Sequence, residues 1–270
     1  MTRFIFIVFL TFFISPVFAA ENGVTAHRGN SAEYPENSLA AFRSAARLGV
    51  DWIETDINKT ADGHIVINHD KNTKTVSDAD LVIGNSTLEQ LRKLDMAYSF
   101  RKSKGLTETE CPRIAILTLE EVLPVILEFE SVKLSLQPKN SGDCVDKAIE
   151  IVRKFKAISR VGFNDGNLEW MARVKKLEPG VPVFWDRFEW NDADIETAKQ
   201  YGFETIVSHH SKVTPERIAA VHAAGIKYGV WTVDDPALLK KFLQMGADRI
   251  YTDVPRILLE LKKTNELGFK

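Results

Sequence analysis

Cysteine is almost missing: Cys111 and Cys144 are the only two in 270 residues. That excludes a disulfide-dense scaffold and argues against metal binding through thiolates. Charge of one sign is also scarce. Thirty-five basic residues against 37 acidic ones leave a formal charge of −2, so no polyanion-binding surface and no nucleic-acid partner is expected. Beyond residue 20 no apolar run approaches the length of a bilayer span. Internal repeats, low-complexity tracts and Pro/Gly/Ser-rich linkers are absent too, which leaves no seam along which to divide the chain. What remains is 44% hydrophobic and 27% charged, enough for one large core.

Residues 1–20 contain one arginine, an apolar stretch from Phe4 to Ile14, a Ser-Pro break and the small-residue ending Val-Phe-Ala-Ala. This is the pattern of a cleavable secretory signal, short for a membrane anchor, with no following cysteine to take a lipid. The expectation is a secreted or periplasmic protein, without a membrane span after cleavage, whose residues 21–270 form a single domain. Glycosylation sequons stand at Asn58 and Asn85. A glycan at Asn58 would sit two residues from Asp56, which favours a bacterial source. In an oxidising compartment Cys111 and Cys144 either pair or stay as thiols; a disulfide closing a loop of about 30 residues is the expectation tested below.

Residues 24–70 concentrate the chemistry. If DWIETDI is a strand, its period of two points Trp52, Glu54 and Asp56 to one face and Ile53, Thr55 and Ile57 to the other. Carboxylates so placed stand about 7 Å apart at the backbone, within common reach of a hard cation. Beyond them Thr60-Ala61-Asp62-Gly63 carries the Asp-Gly signal of a hairpin, which returns His69 toward Asp56. Upstream, VTAH reads as a short buried strand, a polar loop follows, and LAAFRSAARL reads as a helix closed by Gly49. Strand, helix and strand make a βαβ unit that brings His27, Arg28, Glu54 and Asp56 to one carboxyl edge.

From residue 116 helical and apolar runs alternate. Thr118 and Glu121 form a capping box, and Pro215 and Pro236 mark helix starts. VKLSLQ, RVGFN, VPVFW, ETIVS, KYGVWTV and RIYTD are strand candidates, and with VTAH and DWIETD they make eight. Eight is the strand count of a TIM (β/α)8 barrel, in which chemistry sits at the carboxyl ends of the strands.

The motifs HRG at 27–29, PEN at 35–37, E-x-D at 54–56, T-x-D-G at 60–63 and HD at 69–70 resemble, in order and spacing, the glycerophosphodiester phosphodiesterases. STLEQLRKLD at 86–95, LTLEEVL at 117–123, GVWTVDDP at 229–236 and MGADRIYTDVP at 245–255 extend the resemblance over nearly all of the chain past the leader. It implies a TIM barrel with a small insertion, roughly residues 58–116, between the second strand and its helix. His27 and His69 are then the acid–base pair, and Arg28 and Lys139 hold phosphate oxygens. Asn37, of PEN, joins the rim, and Trp231, in the W-T-V motif, walls the pocket. Glu54 and Asp56 would bind a divalent cation, Ca²⁺ or Mg²⁺. The family's E-x-K is replaced here by Gln137-Pro138-Lys139. Gln137 is taken as a neutral oxygen ligand or a near neighbour of the ion, at a loss of one unit of charge.

The implied activity is cleavage of small glycerophosphodiesters to an alcohol and glycerol 3-phosphate. Two alternatives stand beside it: a hydrolase of the same fold acting on a phospholipid or wall polymer, and a phosphodiester-binding protein disabled by Gln137. His64, His209, His210 and His222 fall at no motif position and read as surface or packing residues, and Phe184 as barrel packing.

Overall fold

In a computed structural model, which describes residues 23–268, the chain forms nine strands: β1 (Gly23–His27), β2 (Trp52–Lys59), β3 (Ile65–Ile67), β4 (Lys133–Pro138), β5 (Val161–Asp165), β6 (Val183–Asp186), β7 (Thr205–His209), β8 (Lys227–Trp231) and β9 (Arg249–Thr252). All except β3 are parallel, and β1 pairs with β2 on one side and β9 on the other, so the sheet closes on itself as an eight-stranded barrel. Each strand expected from the sequence is present. β3 lies antiparallel to β2 through the register Ile57↔Ile67, the return stroke of the Asp-Gly hairpin, with Gly63 at φ 86° in its turn. The leader read in residues 1–20 lies outside the described residues. Among those described, no helix is long and apolar enough to cross a membrane.

Local signals place the helices. Ser38 accepts the Ala41 amide at 3.1 Å to start Leu39–Leu48, and Gly49 ends that helix at φ 85°. Glu121 accepts the Thr118 amide at 2.9 Å, as the capping box requires. Pro215 and Pro236 occupy first helical turns behind the N-caps Thr214 and Asp235.

The period-two reading of β2 holds. Ile53 and Ile57 enter the core between barrel and helices, while Trp52 packs on the interior cluster of Phe184, Val207 and Tyr251. Arg249 is 4% exposed inside the barrel, its guanidinium 3.6 Å from the ring centre of Phe184, 4.6 Å from Trp52 and 4.8 Å from Tyr251. Gly162 makes room for this stack, since a Cβ there would stand 2.7 Å from Phe184. This layer plugs the barrel interior and separates a cavity of about 570 Å³ at the amino ends of the strands, lined by Gly23, Lys133, Thr205 and Arg249, from the one at their carboxyl ends. Between β2 and the helix Leu119–Leu127 the chain builds a separate small core of Val66, Ile83, Leu91 and Ile116.

The disulfide expectation is corrected: both cysteines are free and buried. Cys144 lies in the main core on the helix Asp143–Lys154, with Sγ 3.1 Å from Asn140 Oδ1. Cys111 sits 9% exposed in the inserted segment, where Arg101 donates to its carbonyl at 3.0 Å. Each is held by the packing of its own region, so proximity in a polar stretch of sequence was no guide to pairing.

Candidate active site

The loop after β1 carries unusual backbone. Arg28 (φ 56°), Gly29 (φ 86°) and Asn37 (φ 54°) are all left-handed, a conformation that costs a residue other than glycine on the order of 1–3 kcal/mol. The loop is tied shut by the Asn37 amide donating to the Arg28 carbonyl at 2.9 Å. A side chain at Gly29 would also meet Ala41 Cβ at 2.7 Å, so glycine is required there twice over.

That loop sets the β1–β2 side of the rim. His27 Nδ1 lies 2.7 Å from Asp253 Oδ1, which also accepts Ser31 Oγ at 2.9 Å; the remaining ring nitrogen is 4.0 Å from Glu54 Oε2. Burial pulls the His27 pKa down, but the Asp253 hydrogen bond and the Glu54 charge outweigh it, and the imidazole ends above its ordinary value. Arg28 donates to both oxygens of Glu36 at 3.1 Å, and its Nε lies 3.5 Å from Asp56 Oδ2. Its own amide donates to Glu54 at 3.2 Å. Asn37 donates to Asp56 at 3.0 Å and accepts Thr55 Oγ1 at 2.7 Å. Burial opposes ionisation of Asp56, yet Lys139 and Arg28 overcome it and hold the carboxyl below its usual range.

His69 arrives from beyond the hairpin, its Nδ1 2.9 Å from Asp70 Oδ1. Asp70 in turn accepts Thr75 Oγ1 at 2.7 Å. Burial takes His69 below its ordinary value. On the β4–β6 side Lys139 Nζ reaches Asp56 Oδ1 at 3.1 Å and Gln137 Oε1 at 2.6 Å, and Gln137 Nε2 donates to Asp186 Oδ2 at 3.1 Å.

A cavity of about 210 Å³ lies among these groups, lined by His27, Arg28, Glu54, His69, Gln137, Lys139 and Trp231, all expected, and by Asn164, Asp186, Thr232 and Tyr251. Asn37 and Asp56 do not line it. They stand behind the wall, where Asn37 clamps Asp56 and Asp56 anchors Arg28 and Lys139. Trp231 stacks edge-on against His209 at 5.0 Å, so that histidine packs at the rim.

Three residues of the site went unassigned by sequence reasoning. Asp253 lay inside a quoted motif, and Asp70 is the second residue of HD. Asp186 had one available signal, a carboxylate closing a barrel strand.

A divalent cation fits this donor set. Glu54 Oε1, Asp56 Oδ1 and Asp186 Oδ1 are all buried and without a hydrogen bond, and of the three residues Glu54 and Asp186 line the cavity. Burial and then the Asp56 charge push Glu54 up to about 7, and burial and then Asp165 push Asp186 up to about 8. Acids held this high gain most from a cation beside them. Among the described residues no three His, Cys, Asp or Glu side chains form a cluster able to hold a metal by themselves. Mg²⁺ needs less, being held by one or two carboxylates together with waters and phosphate oxygens.

The family model for the glycerophosphoryl diester phosphodiesterases matches residues 27–257. The chain belongs to this family. A glycerophosphodiester phosphodiesterase of Bacillus altitudinis is 28% identical over 250 residues, 89% of this chain and 98% of that protein. One from Caldanaerobacter subterraneus is 28% identical over 242 residues, 88% of this chain and 96% of that protein. Among solved structures, an Oleispira antarctica phosphodiesterase in complex with the product sn-glycerol-3-phosphate superposes with a TM-score of 0.79 at 25% identity, covering 89% of this chain and 96% of that one. A glycerophosphodiester phosphodiesterase from Parabacteroides distasonis, at 22% identity and a TM-score of 0.77, covers 93% of this chain and 99% of its own and bears on the fold alone. Of the motifs quoted above, HRG, E-x-D, HD and W-T-V bring His27, Arg28, Glu54, His69 and Trp231 to the cavity.

Proposed function

We propose that this glycerophosphodiester phosphodiesterase cleaves small glycerophosphodiesters to an alcohol and glycerol 3-phosphate with the aid of a divalent cation, Ca²⁺ or Mg²⁺. The observation that carries the reading is the pair of histidines on one cavity, each with a carboxylate on Nδ1, which leaves the second nitrogen as the one for proton exchange. A carboxylate at Nδ1 fixes the tautomer, so that Nε2 is the atom that takes or gives the proton. Such transfers contribute roughly a hundred- to ten-thousand-fold each.

Arg28 and Lys139 supply positive charge for the phosphate oxygens, and Glu36 and Asp56 hold both cations in place before substrate arrives. Glu54 would hold the ion, whose chemistry is charge neutralisation at the phosphoryl group. Trp231 lines the pocket mouth, and the small volume suits a head-group ester better than a polymer. The leader pattern supports export, which fractionation of the producing cell would test.

The deciding assay is the purified mature chain against a panel of glycerophosphodiesters, with and without chelator, reading release of glycerol 3-phosphate. Turnover of at least one ester is expected. A folded, metal-loaded protein that binds esters without cleaving any of them would overturn the reading in favour of a binding protein.

A further inference from the structure

We propose that Asp186, at the end of β6, supplies the divalent cation with the carboxylate that position 137 lacks, adding to the Glu54 carboxylate on the same cavity. The proposal rests on the metal-dependent reading above and names one of its ligands.

The geometry around Gln137 carries it. The side-chain oxygen of Gln137 already accepts Lys139 Nζ at 2.6 Å, which leaves it poorly placed to serve as a ligand. Its amide nitrogen faces Asp186 Oδ2 at 3.1 Å. A glutamine makes both contacts at once, presenting an acceptor to an ammonium and a donor to a carboxylate; a glutamate would set two anions against each other at the second. The glutamine and the aspartate are thus complementary. The hydrogen bond also orients Asp186, turning Oδ1 into a position where it is buried and unpartnered.

A buried carboxylate oxygen without a partner is costly, and Glu54 Oε1, on the same cavity, has the same defect. A cation bound in this cavity would offer both oxygens a partner, which neither Lys139 nor Arg28 does, since those two are engaged by Asp56 and Glu36. Asp56 Oδ1 is likewise buried without a hydrogen bond, but it already has the Lys139 ammonium at 3.1 Å and does not line the cavity, whereas among the described residues Asp186 Oδ1 has no cationic side chain beside it in an ion pair. The acid missing from β4 is then supplied from β6.

Calorimetric titration of Mg²⁺ and of Ca²⁺ into substrate-free protein tests this, with cation-induced shifts in melting temperature as a second readout. Asp186→Asn is expected to weaken binding by about tenfold or more, and Gln137→Ala by less. The exchange variant Gln137→Glu/Asp186→Asn, which returns the acid to β4, should bind within about threefold of the starting protein. Undiminished binding by a folded Asp186→Asn protein overturns the assignment, and so does a starting protein that binds neither ion. If Asp186→Asn does not fold, the exchange variant decides: recovered binding supports the assignment, and a cooperative melt without binding overturns it. Loss of the proposed function looks different, as intact cation binding with no turnover of any ester.

Discussion

The two sides of the rim are built from the same kind of strand ends but differ in how their polar groups are satisfied. On the β1–β2 side most charged side chains sit in a dense mesh with partners from a following loop, Asp253 and Ser31 around His27, Glu36 on Arg28 and Asn37 on Asp56, and Glu54 Oε1 stands out as a carboxylate oxygen facing the cavity without a hydrogen bond. On the β4–β6 side a single line of contacts runs Lys139, Gln137, Asp186 and stops at an unpartnered oxygen. A satisfied network holds reacting groups in fixed positions, whereas an unsatisfied buried acid is where a ligand is still to be accommodated. The first side is therefore read as the proton-transfer and phosphate-holding side, which also offers Glu54 to the cation, and the second as the one that completes the cation site.

Chelation tests the second side most severely. Removing the divalent ion should bring turnover to the uncatalysed background and added Mg²⁺ or Ca²⁺ should restore it; full turnover in excess chelator, with metal content verified as nil, would remove the cation from the reaction. On the first side His27→Ala and His69→Ala should each lower kcat by a hundredfold or more while far-UV circular dichroism stays unchanged. Near-normal turnover by either folded variant would strike that histidine from the mechanism.

Asp253→Asn probes whether satisfaction of the first side matters beyond the histidine itself. With the Nδ1 partner weakened, a loss of about ten- to a hundredfold is expected, smaller than that of His27→Ala. An equal loss in both would mean that the imidazole has no function without its carboxylate, and no loss would make Asp253 a bystander. Gln137→Ala should cost only severalfold in cation affinity, because it releases Asp186 from orientation without removing an acid. The smallest expected effect is none: two thiols should titrate in unreduced denatured protein, and reductant should leave the melting temperature unchanged, since no disulfide ties the inserted segment to the barrel.

Much of the first side was legible beforehand because its information is local. Alternation in DWIETDI states which way Glu54 points, a Gly49 stop and a Ser38 cap delimit the helix, and Asp-Gly returns the chain toward His69, all within spans of a few residues. Asp56 shows the limit of such reasoning. Its direction was read from parity, but whether it lines the cavity or stands behind it depends on Asn37, which a left-handed backbone swings across its outer oxygen. The cysteines show the same limit, because segments of similar polarity carried Cys144 into the main core and left Cys111 in the inserted segment beside Arg101.

By itself the sequence determined the barrel, the strand count, the hairpin, the family and the identities of both histidines, since each follows from periodicity, capping or motif spacing along a continuous stretch. Only the tertiary structure decided which distant groups meet. His27 and Asp253 are 226 residues apart and touch because β1 pairs with β9 to close the barrel. Gln137 and Asp186 are 49 apart and touch because side chains at the ends of β4 and β6 point into the same narrow interior. Side-chain direction is a property of neighbouring residues in the chain, whereas shared space inside a closed barrel is a property of all eight strands at once.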